Sequence, residues 1–250
     1  MQLEEKMAKS KREFGEGPIY TITNYIFWFF LGNLYFLLLN IPLLFMLILL
    51  LSNGSNQLPD GFTSIIVICC IPIGPAATAL LSVMGKLIRE KDVNITRDYF
   101  KAYKANFFQS LFFGALEIII VSILVIDIRF FILSRYPRVL TIFIFVTIAF
   151  ILLMSLYVFP IISRFYLTTK DIIKTAAYYT IRKFHITILN LASFLLIGLI
   201  FFKVSSFIAL FICSIICYLI MFYEKKTLLE IQENSKKNTE ALEENGDASI

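Results

Sequence analysis

Long uncharged apolar runs constrain this chain more than any other feature. A helix needs about 20 predominantly apolar residues to cross the hydrocarbon core of a bilayer. Tyr25–Leu51, Gly61–Val83, Val139–Ser163, Ile186–Phe202 and Val204–Phe222 contain no charged residue, and Asn106–Ile126 contains only Glu117. Six transmembrane helices are therefore predicted. Lys203 alone separates the last two, so Lys203-Val204-Ser205-Ser206 must turn tightly. The alternative there is one long re-entrant element. Composition agrees: 58% of residues are apolar and 26 are Phe, while only 16% are charged, against roughly 25% in soluble domains. No water-soluble globule hides that much apolar surface. A soluble monomer, a disordered protein and a secreted disulfide scaffold are excluded. The expected architecture is an all-α polytopic membrane protein. It comprises an N-terminal segment 1–24, a six-helix membrane domain 25–222 and a tail 223–250. The tail should start as a helix over Tyr223–Glu233 and be disordered from Asn234.

Six spans put both termini on one side. All 23 basic residues except Arg129, Arg135, Arg138 and Lys203 fall on that side. The positive-inside rule then places both termini in the cytoplasm. The first 24 residues hold as many Glu as Lys and Arg, and no small-residue cleavage site follows the first run. The first span is therefore expected to persist rather than act as a signal peptide. The net charge of +5 reflects basic loops after spans two and four. Anionic lipids attract such loops, so the charge points to the bilayer as partner and not to nucleic acid.

These two loops look alike. In Thr96–Phe107, Tyr99, Phe100, Tyr103 and Phe107 recur at helical spacing, with Arg97, Lys101 and Lys104 away from them. Thr96 is the expected N-cap and Asp98 sits in the first turn, where the helix dipole favours it. In Thr169–Phe184, Ile172, Ile173, Ala176, Ala177 and Phe184 make the apolar set, Thr169 the cap, and Asp171 repeats Asp98. Lys170 and Lys174 should face water. Both segments read as amphipathic helices lying in the inner interface. Their candidate contact surface for a partner is Tyr99, Phe100, Lys101, Tyr103, Lys104, Ile172, Lys174 and Arg182. The repeated order of span, basic helix, span occurs in transporters and also in membrane proteins that transport nothing.

Within the membrane, Pro72 and Pro75 remove two helical donors and free the carbonyls of Ile68 and Ile71. The small residues Gly74, Ala76, Ala77, Thr78 and Ala79 let a neighbouring helix approach closely. The segment is thus either a broken helix forming a binding site or a kinked helix packed through its small face. Glu117 lies about ten residues from each end of its span, where an acidic group is costly unless paired, protonated or hydrated. Its candidate partners are Asn33, Asn40 and the freed carbonyls. Glu117, Asn33, Asn40, Pro72, Gly74, Pro75 and Thr78 form the candidate intramembrane polar site. Asn190 is read as an interhelical hydrogen-bonding residue, and Pro42 and Pro160 as kinks. Asp127 and Arg129 are candidates to pair, His185 is interfacial, and Trp28 is an interface anchor. Cys69, Cys70, Cys213 and Cys217 read as packing residues, with a disulfide or metal site as the alternative. Asn53-Gly54-Ser55 and Asn94-Ile95-Thr96 match the glycosylation sequon, a short pattern that occurs often by chance. The sequence holds no H-E-x-x-H, G-x-S-x-G or P-loop, and no enzyme activity or cofactor is expected.

The residues carry a resemblance. Gly32-Asn33-Leu34, Gly74-Pro75-Ala76-Ala77-Thr78-Ala79-Leu80 with Val83 and Lys86, Arg89-Glu90-Lys91-Asp92, the Asp98–Phe107 stretch and Phe159–Phe165 resemble the YesL family of bacterial integral membrane proteins. The resemblance covers roughly residues 15–225. That family has no settled activity, and its members are often encoded near carbohydrate-uptake and carbohydrate-degrading systems. The resemblance implies an association with sugar utilisation and fixes no ligand residue. The leading expectation is a non-enzymatic accessory protein, with a carbohydrate ABC-transporter component as its partner. The alternative is a small proton-coupled transporter or channel built on Glu117 and the Pro72–Pro75 break.

Overall fold

A computed structural model describes residues 18–52, 61–134, 137–203 and 209–247. Among them are nine α-helices and no strand. They are α1 (Pro18–Leu39), α2 (Ile41–Ser52), α3 (Phe62–Cys70), α4 (Ile73–Glu90), α5 (Ile95–Leu133), α6 (Arg138–Arg164), α7 (Thr169–Arg182), α8 (Phe184–Lys203) and α9 (Ile212–Asp247). Five stretches among the described residues are long and apolar enough to cross a membrane: Tyr20–Leu39, Ser64–Glu90, Ile95–Leu133, Arg138–Arg164 and Phe184–Phe201. In α9 the uncharged part runs only from Ile212 to Tyr223 before Glu224-Lys225-Lys226. The start of the expected sixth run at Val204, the turn residues Val204–Ser206, the basic residues of segment 1–17, Asn53-Gly54-Ser55 and Arg135 lie outside the described residues.

Prolines and caps set the helix ends. α1 stops at Leu39 and α2 restarts at Ile41, because Pro42 brings no N–H to the ladder. Asn40 bridges the break: its side-chain amide donates to the Phe36 carbonyl at 2.8 Å, and its own carbonyl accepts from the Leu44 N–H at 3.0 Å. Pro160, expected to kink its span, lies inside α6, which runs through it unbroken. Tyr157, Val158, Ile161 and Ile162 are buried around it and hold that turn in the core.

The two amphipathic segments part company. Thr96–Phe107 is not a separate interfacial helix. It is the first third of α5, whose 39 residues extend about 58 Å at 1.5 Å per residue. No Gly or Pro interrupts the chain between Ile95 and Phe113, so nothing breaks the helix at the membrane edge. Its cap is Asn94 rather than Thr96: the Asn94 Oδ1 accepts from the Arg97 N–H at 3.2 Å, and the Asp98 carboxylate accepts from the Asn94 N–H at 3.2 Å. Thr169–Arg182 does form its own helix, α7. Phe165 leaves α6 in an extended conformation, and the Thr168 hydroxyl, one residue before the expected cap, accepts from the Asp171 N–H. α9 also departs from the expectation. It continues as helix through Asn234 to Asp247, where Lys, Glu, Ala and Leu supply strong helix formers.

α4 is the hub. It packs against α1, α5, α6 and α9, and Leu80, Val83, Met84 and Leu87 are almost wholly buried along it. The core closes around them with Tyr99 of α5, Tyr157, Ile161 and Ile162 of α6, Ile172 and Ala176 of α7, and Met221 and Leu228 of α9. This core gathers at one end of the bundle, the end carrying the basic α4–α5 and α6–α7 connections. At the other end Ile119, Ile123 and Ile126 of α5 and Ile142, Phe143 and Val146 of α6 stay exposed. Those faces suit lipid, which is as apolar as the side chains themselves.

Candidate functional site

The structure disperses the expected intramembrane site. Asn33 ties α1 to the start of α9: its amide donates to the Ala209 carbonyl at 3.1 Å, and its Oδ1 accepts from the Cys213 N–H at 3.0 Å. Asn40 is spent on the α1–α2 break, and its Oδ1 is buried without a partner. Thr78 donates to the Gly74 carbonyl one turn back at 2.9 Å. The Pro72–Pro75 segment does interrupt the helix, between Cys70 and Ile73. The Ile68 carbonyl freed by it accepts from the Ile71 N–H at 3.2 Å. The Ile71 carbonyl lies against Gly114 of α5. Gly74 is a packing residue: a Cβ there would stand 2.7 Å from the Ser110 carbonyl oxygen and 3.3 Å from the Gly114 Cα. The small face therefore serves helix packing. Glu117, half-buried on α5, faces the Ser155 hydroxyl of α6 and not Asn33, Asn40 or the freed carbonyls. Asp127 and Arg129, two residues apart on one helix, point to different faces.

Two of the eight residues of the expected contact surface are core. Tyr99 and Ile172 have no exposed surface, which removes them from any docking face. The Tyr99 hydroxyl donates to the Ala76 carbonyl at 3.2 Å, and its ring packs 5.6 Å from that of Tyr35 on α1. Tyr35 also contacts Phe100, and its hydroxyl is 2.8 Å from the Thr96 hydroxyl. The aromatic stripe was correctly placed on one helix face, but that face meets protein. Tyr103 is half-buried for the same reason, while Lys101, Lys104, Lys174 and Arg182 are exposed. Ion pairs brace this end. Lys183 and Arg182 reach Glu230 of α9 at 2.9 Å and 3.4 Å. The Lys183 hydrogen bond holds the Glu230 carboxyl below its usual range. Lys86 meets Asp98 at 2.8 Å, which raises the lysine's affinity for its proton.

Two arrangements escaped the sequence reading. The first is a group of buried polar side chains between α6, α8 and α9. Glu224 and Thr227 of α9 and Asn190 of α8 are buried, and none of their side-chain N or O atoms has a hydrogen-bond partner. Flanking contacts fix their register. Ser193 meets Tyr223 at 3.0 Å and Lys183 meets Glu230 at 2.9 Å, so Asn190 faces the Glu224–Thr227 turn. One turn from Asn190, Thr187 bonds to the Tyr157 hydroxyl at 3.0 Å. Adjacent Lys225 and Lys226 made Glu224 read as part of a solvated tail. The signal was present in the spacing: Cys217, Glu224 and Ile231 are seven apart, which puts Glu224 on the buried stripe.

The second is a cleft of about 240 Å³ between α4, α5 and α6 at the basic end. Val83 and Ile162 form its apolar floor, and Lys86, Asp98, Lys101 and Arg164 stand around it.

Residues 20–128 match the model of a family described as "Protein of unknown function, DUF624". The matched stretch runs from α1 to near the end of α5 and includes the helix break, the Gly74–Gly114 crossing and the Asn94 cap. It stops short of α6–α9, and the Phe159–Phe165 part of the YesL resemblance falls outside it. No curated protein and no solved structure matches the chain.

Proposed function

We propose that this is a six-span membrane protein with both termini in the cytoplasm, acting as a non-enzymatic accessory protein of carbohydrate uptake. The supporting observation is how the basic end is built. α5 and α9 run on past their apolar segments, α7 packs on α6, and Arg182 with the following Lys183 ties it to Glu230 of α9. The result is a braced helical platform whose exposed side chains include the cations Lys101, Lys104, Lys174 and Arg182 alongside Ile173, Tyr178 and Ile181. A rigid, charged platform suits docking by a transporter subunit, since charge complementarity sets partner choice and encounter rate. Purification of the tagged protein from its own membrane, with identification of what accompanies it, tests this. A stoichiometric carbohydrate-transporter subunit, lost in Lys101→Glu/Lys174→Glu with insertion intact, is the expected result. A single clean species overturns it.

A second reading, a small proton-coupled transporter or channel, draws on Glu224 rather than on Glu117. A buried carboxyl without a hydrogen bond costs several kcal/mol as an anion. It is therefore held protonated or beside a cation, and its proton can be exchanged. Flux in liposomes that falls in Glu224→Gln would favour this reading; absence of flux for every sugar and cation tried would remove it.

A further inference from the structure

We infer that the cleft between α4, α5 and α6 is a binding site for a phosphate group. Three cations from three different helices, Lys86, Lys101 and Arg164, stand around a volume of about 240 Å³, with Asp98 as the one carboxylate in its wall and Glu90 3.8 Å from Lys86. The Asp98 carboxylate is engaged: it meets Lys86 at 2.8 Å and the Asn94 N–H at 3.2 Å. Lys101 has no ion-pair partner among the described residues. Arg164 is half-buried, donates to the Gln232 side-chain oxygen at 2.8 Å, and has the like charge of Arg89 nearby. Cations gathered this way repel one another unless an anion joins them.

The other polar side chains in the wall are Ser82, Asn106, Ser163 and Tyr166, of which the Ser163 hydroxyl donates to the Pro160 carbonyl at 2.7 Å. Together with the cations they form a donor-rich set, which a tetrahedral oxyanion uses better than a two-oxygen carboxylate. Ala102 and Ala105 line the α5 wall, and their short side chains keep the cleft open. The volume lies just under the roughly 300 Å³ lower bound of small-molecule sites, so it fits a headgroup or a small phosphate ester and not a nucleotide. The cleft opens beside Arg164, where α6 leaves its apolar run. That is the level at which phospholipid headgroups sit. A phospholipid and a soluble phosphate ester share the recognised chemistry, and the experiment separates them.

Full-length protein in a mild neutral detergent is followed by thermal unfolding while inorganic phosphate, dihexanoyl phosphatidylglycerol or dihexanoyl phosphatidylcholine is added, with chloride matched for ionic strength. A ligand that binds only the folded state raises the midpoint as its concentration passes Kd. Stabilisation by phosphatidylglycerol alone identifies a lipid headgroup; stabilisation by inorganic phosphate as well identifies a soluble ester. In either case Lys101→Gln weakens the response about tenfold, the loss expected for one charge-assisted hydrogen bond. Ala105→Phe, which fills the cleft without changing charge, abolishes it. Lys104→Gln, on the same helix but outside the cleft, responds as wild type. The inference is overturned if neither anion stabilises the protein, or if phosphatidylcholine does so equally. It is also overturned if Lys101→Gln and Ala105→Phe respond as wild type, or if Lys104→Gln loses the response too.

Discussion

Replacing Gly74 by Ala should loosen the central helix pair, and the structure sets the size of the effect. The new Cβ would stand 2.7 Å from the Ser110 carbonyl oxygen and 3.3 Å from the Gly114 Cα. Ordinary Cβ contacts begin near 3.4 Å, so α4 and α5 must part by about 0.7 Å at their crossing. The obstacle is backbone, which cannot rotate away as a side chain can. Overpacking of this kind costs about 1–3 kcal/mol. Ala regains up to about 1 kcal/mol through its better helix propensity. The net loss is then about 0–2 kcal/mol, toward the upper end because Leu80, Val83 and Met84 are buried on the same helix and move with it. Gly198 is the internal control. A Cβ there meets nothing within 4 Å, so Gly198→Ala keeps the propensity gain with no clash. Thermal unfolding of both variants in one detergent should show midpoints shifted in opposite directions. Gly114→Ala, whose Cβ would lie 3.2 Å from the Gly74 Cα, should cost less than Gly74→Ala, and the double variant should cost less than the two singles together, since one separation of the helices relieves both contacts. Equal midpoints for Gly74→Ala and Gly198→Ala would refute the reasoning.

Three other outcomes are expected. Glu224→Met replaces a buried, unbonded carboxyl by an apolar side chain of similar length and should leave the protein as stable or up to about 1–4 kcal/mol more stable; a lowered unfolding midpoint would mean that the carboxyl has a stabilising partner. Asn33→Ala leaves the Ala209 carbonyl and the Cys213 N–H unmatched and should cost about 1–3 kcal/mol, read as a lower midpoint that Asn33→Asp does not fully restore. Glu230 binds its proton less readily in the folded state. Its stabilisation is therefore complete above its unfolded value, about 4.3, and is lost as pH falls through the lower folded one. Near neutral pH wild type should exceed Glu230→Gln by about 0.2–1 kcal/mol, and in acid the two unfolding curves should converge; a constant gap across that window would contradict the Lys183 pairing.

Sequence patterning made the helical class legible because uncharged runs and their spacing depend on burial in lipid, which needs no tertiary knowledge. The same patterning misplaced the partners of its apolar stripes. Tyr99 and Ile172 lie on the stripes they were assigned to, yet α1, α4 and α6 cover them instead of headgroups or a partner. Periodicity shows that a face is buried and not what buries it. A helix lying in the interface at Thr96–Phe107 would have to bend to enter the following span, and Lys104, Ala105 and Asn106 offer no break. Glu224 was missed for a related reason: the charges beside it outweighed its register on the stripe running from Cys217 to Ile231. Asn33 stands out in the sequence as an amide inside an apolar run, but only the fold shows that its two bonds clamp α1 to α9.

The Gly74–Gly114 contact also makes α5 an equal-armed beam. Gly114 divides the helix so that as many residues precede it back to Ile95 as follow it to Leu133, and there a Cβ on Gly114 would lie 3.2 Å from the Gly74 Cα of α4. Apart from Gly114 no Gly or Pro interrupts its length, so the cleft wall beside Lys101 and the exposed apolar face at Ile123 and Ile126 belong to one unbroken rod. The chain leaves helix instead between α6 and α7, at Phe165. Whatever seats itself beside Lys101 therefore touches the same helix that reaches the far end of the bundle.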